Sequence, residues 1–475
     1  MTLDNQPVQA LTLLENRTYD ELQVGDTASL TRTLTKADIE LFAILSGDVN
    51  PAHLDEAYAK ASPFHKVIAH GMWGGTLIST VLGTRLPGPG TIYLGQQLRF
   101  TRPVGLGDMV TVTLTVKSKG EKHHVLLDCV CTNQLGQAVI TGEAEVLAPT
   151  EKIRREATAL PELHLVRHER FGQLMALVKG QAPIRCAVVC PHDLPSLSAT
   201  LEAARAGLIH PVLVGDRSLT EAVAREHQLD LVGCDWAEVH GTSPALQHAM
   251  ALARAGTVEA LMQGDVPADL LLHALVSHQT GLRAHRRISH AYVADVPDYA
   301  KPLLITDAAV NLTPSLADKR DIVQNAIDLA RTLGLDEPKV AILSAVDGVN
   351  SALSSSMDAA ALSKMLERHQ IAGGIVDGPL GFDAAISPRI AQLKHPHSPV
   401  AGQADILVVP TMETGDMLVK QLTLLADADV AGIVLGARVP VILGNATDSA
   451  RTRLASAALA LLVSRAEGQL TSLHP

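Results

Sequence analysis

Residues 71–84 constrain the first third of this chain more than any other stretch. Met72, Trp73, Gly74, Gly75, Leu77, Ile78, Val81 and Leu82 make the segment apolar or small nearly all round. A helix of that kind is buried on most sides. Four runs of strand character follow, at residues 91–101, 109–118, 123–133 and 137–147, with turns between them. The pattern predicts one helix wrapped by an antiparallel sheet, an α+β domain. Ahead of it, residues 22–34 read as strand material. Thr35 then fits an N-cap, with Asp38 three residues on and Ile39, Leu41, Phe42 and Leu45 at helical spacing.

That first helix leads into Ser46-Gly47-Asp48-Val49-Asn50-Pro51-Ala52-His53-Leu54-Asp55-Glu56-Ala57. Pro51 cannot donate a backbone hydrogen bond and pushes Asn50 out of the helical region. Asp48 and His53 therefore flank a kinked loop and can converge on one point. A carboxylate and an imidazole facing one water form a general acid/base pair. Asp and Asn before Pro also serve as ordinary turn and cap residues, and His53 can equally open the next helix, near Leu54. At the start of the long helix, the N–H groups of Gly71 and Met72 lack intrahelical partners and sit at the positive end of the dipole. Gly71 is also the residue type found where a helix entry simply packs tightly.

The 475 residues exceed one ordinary core, so two or more domains are expected. A net charge of −11 argues against a nucleic-acid partner. No basic-then-apolar leader opens the chain, and the longest apolar run, near residues 454–463, is about half of a membrane span. Cys129, Cys131, Cys186, Cys190 and Cys234 show no finger spacing, so zinc is not expected. They read as reduced and mostly buried thiols of a cytoplasmic protein.

Residues 42–57 resemble the signature of the MaoC-like, (R)-specific enoyl-CoA hydratase family. Phe42, Ser46, Gly47, Asp48, Asn50, Pro51, His53 and Ala57 fill its positions. The resemblance implies a hotdog fold and syn hydration of a trans-2-enoyl thioester. Asp48 and His53 would hold the water and Asn50 would orient the water or His53. The Gly71 N–H would hold the enolate oxygen, and Ser79 would support Asp48. The choice of base between Asp48 and His53 stays open, and Ser79 can instead bond its own helix.

Residues 149–162 read as a linker: Pro149 and Pro161 bracket Glu151, Lys152, Arg154, Arg155 and Glu156. From residue 163 to 475, strands alternate with helices, which predicts a mostly parallel sheet in two lobes with a cleft between them. Strands are expected at 184–189, 211–216, 301–306, 338–343, 374–376, 404–409, 430–435 and 439–444. Gly281-Leu282-Arg283, Ile288-Ser289-His290, Ile305-Thr306-Asp307, Asp377-Gly378-Pro379-Leu380 and Ala404-Asp405-Ile406 occur in order. Together with Gly436-Ala437-Arg438-Val439-Pro440 they resemble the phosphate acetyl/butyryl transferase family, which moves acyl groups between coenzyme A and phosphate.

Arg283 is the best placed anion contact of the cluster Arg283, Arg286 and Arg287. Ser289 lies in a matching segment. Asp307, Asp377 and Glu413 sit at or just past strand ends, where open α/β sheets bind ligands; any of them can instead cap a helix. The chain departs from the family pattern in four places. Gln263 stands for a Lys, Ala268 for a Thr, and Asn445-Ala446 for a Ser-Arg pair, so two cations are missing.

The expected protein is a fused hydratase and phosphate acyltransferase, with domains at 1–148 and 163–475. Its partners would be acyl-CoA and phosphate, with no membrane, no metal and no tightly bound cofactor. It would form a homo-oligomer through the hotdog domain. The alternative is a hydratase whose C-terminal domain binds coenzyme A or supports assembly without turnover.

Overall fold

A computed structural model describes residues 13–158, 169–444 and 448–472. The chain divides into two compact units, residues 1–165 and 166–475.

The strands of the first unit are Leu14–Glu15 (β1), Thr27–Thr33 (β2), Ile92–Phe100 (β3), Met109–Lys119 (β4), His124–Thr132 (β5), Ala138–Leu147 (β6) and Arg154–Arg155 (β7). Five of them form an antiparallel sheet in the order β2-β4-β5-β6-β3, while β1 and β7 pair separately. The helices are Lys36–Ser46 (α1), Pro51–Leu54 (α2), Glu56–Ala61 (α3) and Gly71–Thr84 (α4). This is the hotdog arrangement that the sequence implied.

Trp73, Leu77, Ile78, Val81 and Leu82 of α4 share one core with Val110, Val112, Leu114, Leu127, Cys129, Cys131, Ile140 and Val146 of the sheet. Strand alternation puts Cys129 and Cys131 on the inner face. Burial pushes their thiols up to about 11 and about 12, so they stay protonated and unreactive. The helix is less enclosed than its composition suggests: Met72, Thr76, Ser79 and Thr80 are exposed in the single chain. Thr76, Thr80 and Thr84 return their hydroxyls to carbonyls of their own helix, which is how an exposed Thr is satisfied mid-helix.

The second unit holds Ile184–Val189 (β8), Ile209–Gly215 (β9), Asp235–Glu238 (β10), Ala260–Gln263 (β11), Ser289–Asp295 (β12), Leu303–Thr306 (β13), Lys339–Leu343 (β14), Ile375–Leu380 (β15), Ile406–Val408 (β16), Asp429–Leu435 (β17) and Val441–Ile442 (β18). They form one continuous sheet, ordered β10-β9-β8-β11-β18-β17-β12-β13-β16-β14-β15. Two parallel blocks, β10 to β18 and β13 to β15, are joined by the antiparallel pairs around β17 and β12. The sequence missed β10, β11 and β12 as strands and drew β18 too long. No helix separates β12 from β13 or β17 from β18, and such direct connections make antiparallel neighbours.

The expected lobes correspond to the two blocks. On one face a single core crosses both, from Cys186, Val188 and Met262 to Leu304, Val340 and Ile406, covered by Ala458 and Leu461 of the helix Ala450–Ser472. On the other face the core parts in two: Ala187, Leu261 and Val434 on one side, Ile305, Ala341 and Leu407 on the other. The seam lies over β12. The two blocks run in opposite directions, so their C-terminal edges face opposite ways.

Gly142 on β6 tests the sheet packing of the first unit. A Cβ there would stand 1.9 Å from the Gln97 carbonyl oxygen and 2.9 Å from its carbon. The obstacle is backbone, which cannot swing aside. Gly142→Ala is expected to cost about 3 kcal/mol, the upper end of ordinary overpacking, read as an earlier thermal transition of the full chain. An unchanged transition would show that β3 and β6 are not packed in this register.

Candidate active sites

In the first unit, the loop between α1 and α2 is set by its two ends. Gly47 closes α1 in the left-handed region at φ 75°, where a glycine carries no Cβ penalty. Asn50 opens α2: its side-chain oxygen accepts from Ala52 N–H at 3.1 Å, and Pro51 occupies the first helical position. Helix α2 therefore begins at Pro51 rather than near Leu54. The Asn50 side chain is engaged as a cap, and its backbone carbonyl accepts from His53 N–H at 3.0 Å; among the described residues its side chain makes no bond to the His53 ring. Asp48 sits on the loop, exposed, with one carboxylate oxygen accepting from Asn50 N–H at 3.2 Å.

His53 lies in the last turn of α2, half-buried. Its Nδ1 is 2.9 Å from the Ile68 carbonyl oxygen. A carbonyl only accepts, so Nδ1 carries the proton and Nε2 is left with its lone pair. His70, the residue before Gly71, completes the group. It is buried, its Nε2 lies 3.0 Å from the Asp48 carbonyl oxygen, and its ring stacks between Phe42, at 4.9 Å, and His53, at 4.0 Å. Asp48, His53 and His70 bring one ligand-type atom each within 4.8 Å of the others, the only such group among the described residues. Two imidazoles stacked at 4.0 Å and tilted by 37° cannot both aim in-plane lone pairs at one ion without a ring turning. The geometry suits an acid/base pair with a supporting histidine better than a metal centre.

Gly71 is the first residue of α4, and its N–H and that of Met72 have no backbone partner among the described residues. A Cβ on Gly71 would lie 3.3 Å from the Phe100 ring, so the glycine keeps that approach open. Ser79 lies two turns along α4, about 12 Å from Gly71 by helical rise. It is exposed and makes no bond to Asp48 among the described residues. The support for Asp48 that the resemblance implied is therefore not made by Ser79 within one chain.

In the second unit the expected residues separate. Arg283 is exposed, bridged through its backbone to Ala437, and among the described residues its side chain hydrogen-bonds to His278, 3.0 Å from its Nη1. Arg286 is paired with Asp328, and Arg287 with Asp318 and Asn311. Arg283 is thus the cluster's one cation without a carboxylate partner among the described residues. Ser289 is fully buried and bonded to Asn325, which places it in the core rather than on a ligand face. Asp307 is buried and accepts from the N–H groups of Ala309, Val310 and Asn311, with burial pushing its pKa up. It caps a turn. Asp377 is likewise occupied, by Ser398 and its neighbour Gly378. Glu413 stands exposed in the first turn of the helix Met412–Leu425, with no hydrogen bond or ion pair among the described residues. Asn445 and Ala446 lie outside the described residues.

By strand direction Asp307, Glu413 and Arg283 share one edge of the sheet, and Gln263 with Gly444 the opposite one. Gln263 makes a neutral crosslink there, accepting from Gly444 N–H at 3.2 Å and donating to Val266 O at 2.7 Å. This edge contains the point where β8 and β11 lead their connections apart, the usual ligand crevice of an open α/β sheet. Gly264 is packed there so closely that a Cβ would stand 2.2 Å from Val189 O.

Sequence reasoning passed over four residues. His70 directly precedes Gly71 and Met72, whose N–H groups drew the attention. His290 and Tyr292 alternate on β12 and so share the seam face. The carboxylates Asp448, Asp416 and Asp307, together with the larger effect of burial, hold Tyr292 up at about 12. Polar residues at i and i+2 of an otherwise apolar strand were the available signal. Asp448 lay in a segment read only for the arginine it lacks.

Both units are similar to known proteins. The family model "Phosphate acetyl/butaryl transferase" matches residues 237–461, and "MaoC like domain" matches 23–130. A phosphate acetyltransferase of Rhizobium meliloti is 50% identical over 293 residues, covering 62% of this chain and 93% of that protein. A branched-chain phosphotransacylase from Enterococcus faecalis V583 superposes with a TM-score of 0.53 at 28% identity, over 59% of this chain and 99% of the other. The R-hydratase PhaJ1 from Pseudomonas aeruginosa is 50% identical over 32% of this chain and 99% of its own, with a TM-score of 0.32. The chain belongs to the phosphate acetyl/butyryl transferase family and carries a MaoC-like hotdog domain ahead of that unit.

The seam carries a pH signature. His290 is fully buried, which pushes its pKa down to about 3. Below the ordinary imidazole value the unfolded chain takes up a proton that the folded chain refuses. Stability from this residue is complete above about pH 6.5 and is lost as pH falls toward 3. Asp307, raised by burial, works in the opposite sense, because the folded chain takes up its proton first. At pH 5 the His290 effect is worth about 2 kcal/mol. His290→Gln is expected to flatten the fall in melting temperature between pH 7 and pH 5. An unchanged slope would mean that His290 reaches solvent.

Proposed function

We propose that the chain is a bifunctional acyl-CoA enzyme. The first unit would hydrate a trans-2-enoyl-CoA to the (R)-3-hydroxyacyl-CoA, and the second would exchange an acyl group between coenzyme A and inorganic phosphate. For the hydratase, the convergence of Asp48 and His53 beside the start of α4 carries the reading. Water held between the Asp48 carboxylate and His53 Nε2 adds its oxygen to C3. The proton it loses returns, through this pair, to C2 on the same face. The N–H groups at the start of α4 receive the charge that develops on the thioester oxygen. For the transferase, half identity to a phosphate acetyltransferase over nearly its whole length is the support.

The second reading, a C-terminal unit that binds coenzyme A without turning it over, is favoured by one observation. Gln263 replaces the cation expected at the crevice with a neutral crosslink. Each charge-assisted contact to phosphate is worth about 1.5–3 kcal/mol. In either reading the chain acts in the cytoplasm as a homo-oligomer. β3 is an edge strand with Ile92, Tyr93, Leu94 and Phe100 exposed, an edge and apolar face suited to a second copy.

Asp48→Asn is expected to lower hydration of crotonyl-CoA by about 10²–10⁴-fold with no change in the thermal transition. Turnover near that of the parent would sink the hydratase assignment. Thiol release from acetyl-CoA or butyryl-CoA that depends on added phosphate is expected from the same Asp48→Asn protein, since the second unit does not use that residue. If none is seen, and Gln263→Lys does not raise it, the second unit is a binding or assembly module.

A further inference from the structure

We propose that His70 is the positioning residue of the hydratase site. It would act as a neutral imidazole that fixes Asp48, His53 and the oxyanion donor relative to one another. The inference rests on the hydration reading given above.

His70 touches all three parts. Its Nε2–H donates to the Asp48 carbonyl, at 3.0 Å, which pins the loop that carries the carboxylate. Its ring lies 4.0 Å from the His53 ring, tilted by 37°, and packs against it. Its own peptide bond leads to Gly71, the first N–H of α4. Phe42 stacks on it at 4.9 Å, which favours this ring plane. The Asp48 carbonyl can only accept, so the proton must sit on Nε2. That leaves Nδ1 a lone pair, buried and without a hydrogen-bond partner among the described residues, in a residue only 3% exposed. A doubly protonated ring would bury an unpaired N–H donor and a charge against His53. The neutral tautomer is the one this pocket accepts.

Catalysis depends on geometry of this kind, because a displacement of about 1 Å at a reacting group costs on the order of 10²-fold. In this proposal His70, with both ring nitrogens turned inward, acts through Asp48 and His53 rather than on water or thioester itself.

Two substitutions separate this role from packing. The amide nitrogen of glutamine reaches the place of imidazole Nε2, while that of asparagine reaches the place of Nδ1. His70→Gln keeps the donor to Asp48, and His70→Asn loses it. In the full chain, His70→Asn is expected to lower kcat for crotonyl-CoA by about 10²-fold with KM changed by less than about threefold, since His70 makes no substrate contact. His70→Gln should recover at least about tenfold of that loss. In the parent protein labelled with ¹⁵N-histidine, the His70 ring should show the Nε2–H tautomer and His53 the Nδ1–H tautomer. In His70→Asn the His53 signature should become mixed.

Equal losses in the two variants would reduce His70 to packing, and a kcat for His70→Asn within about threefold of the parent would remove it from the site. An Nδ1–H tautomer for His70 in the parent would overturn the proposal even if neither variant folds. A parent protein that hydrates nothing would instead sink the hydratase reading, and the ¹⁵N spectra would still decide the tautomer and the coupling to His53.

Discussion

Burial of α4 against the sheet fixes where its N-terminus points, and everything reactive in the first unit is arranged around that end. The side chains of Trp73, Leu77, Ile78, Val81 and Leu82 lock the helix in a core closed by β4, β5 and β6. A fourteen-residue helix held this way has unpaired N–H groups and a positive dipole end at a set place. Asp48 and His53 come from a different part of the chain, a loop shaped by a left-handed glycine and a capped proline turn. His70 joins the two. Asp48, His53 and the free N–H groups of α4 are therefore linked through one buried residue.

The second unit solves a different problem. Two parallel blocks running in opposite directions cannot place their C-terminal edges together within one flat sheet. Here β12 and β17 carry the reversal, and the core on one face divides over them. The face that parts is where polar groups gather: His290, Tyr292 and the carboxylates around it. Gly432 permits this, because a Cβ there would lie 2.8 Å from His290 Nε2. The unbroken core beneath, covered by the helix Ala450–Ser472, keeps the two blocks one body while the opposite face opens.

Periodicity made most of the elements legible. The helix at 71–84, the four strands after it and the Thr35 capping box all follow from local rules, and each is found. The Asp48 loop was legible because its chemistry and its turn residues lie in one short stretch. His70 was not, since nothing local says that a histidine seventeen residues beyond His53 stacks against it; only the tertiary fold brings them together. Asp307 and Ser289 failed for the converse reason. A carboxylate or hydroxyl at a strand end looks the same in sequence whether it faces a ligand or caps a turn, and here Asp307 caps and Ser289 is buried. The strands β10 and β11 are four residues each, too short to announce themselves by period.

The charge pattern of the second unit bears on how such a unit would manage an anion. With Gln263 in place of a lysine, the crevice between β8 and β11 is held by amide and backbone bonds. Arg283, the cation left without a carboxylate partner among its neighbours Arg286 and Arg287, sits at the opposite edge. A phosphate bound at the crevice would depend on backbone N–H groups and helix starts, as anion sites without a clamp generally do. Such donors orient well but neutralise less charge than an arginine fork. The chain thus retains the fold on which acyl transfer is built, with an amide crosslink at the edge where the resemblance implies a lysine.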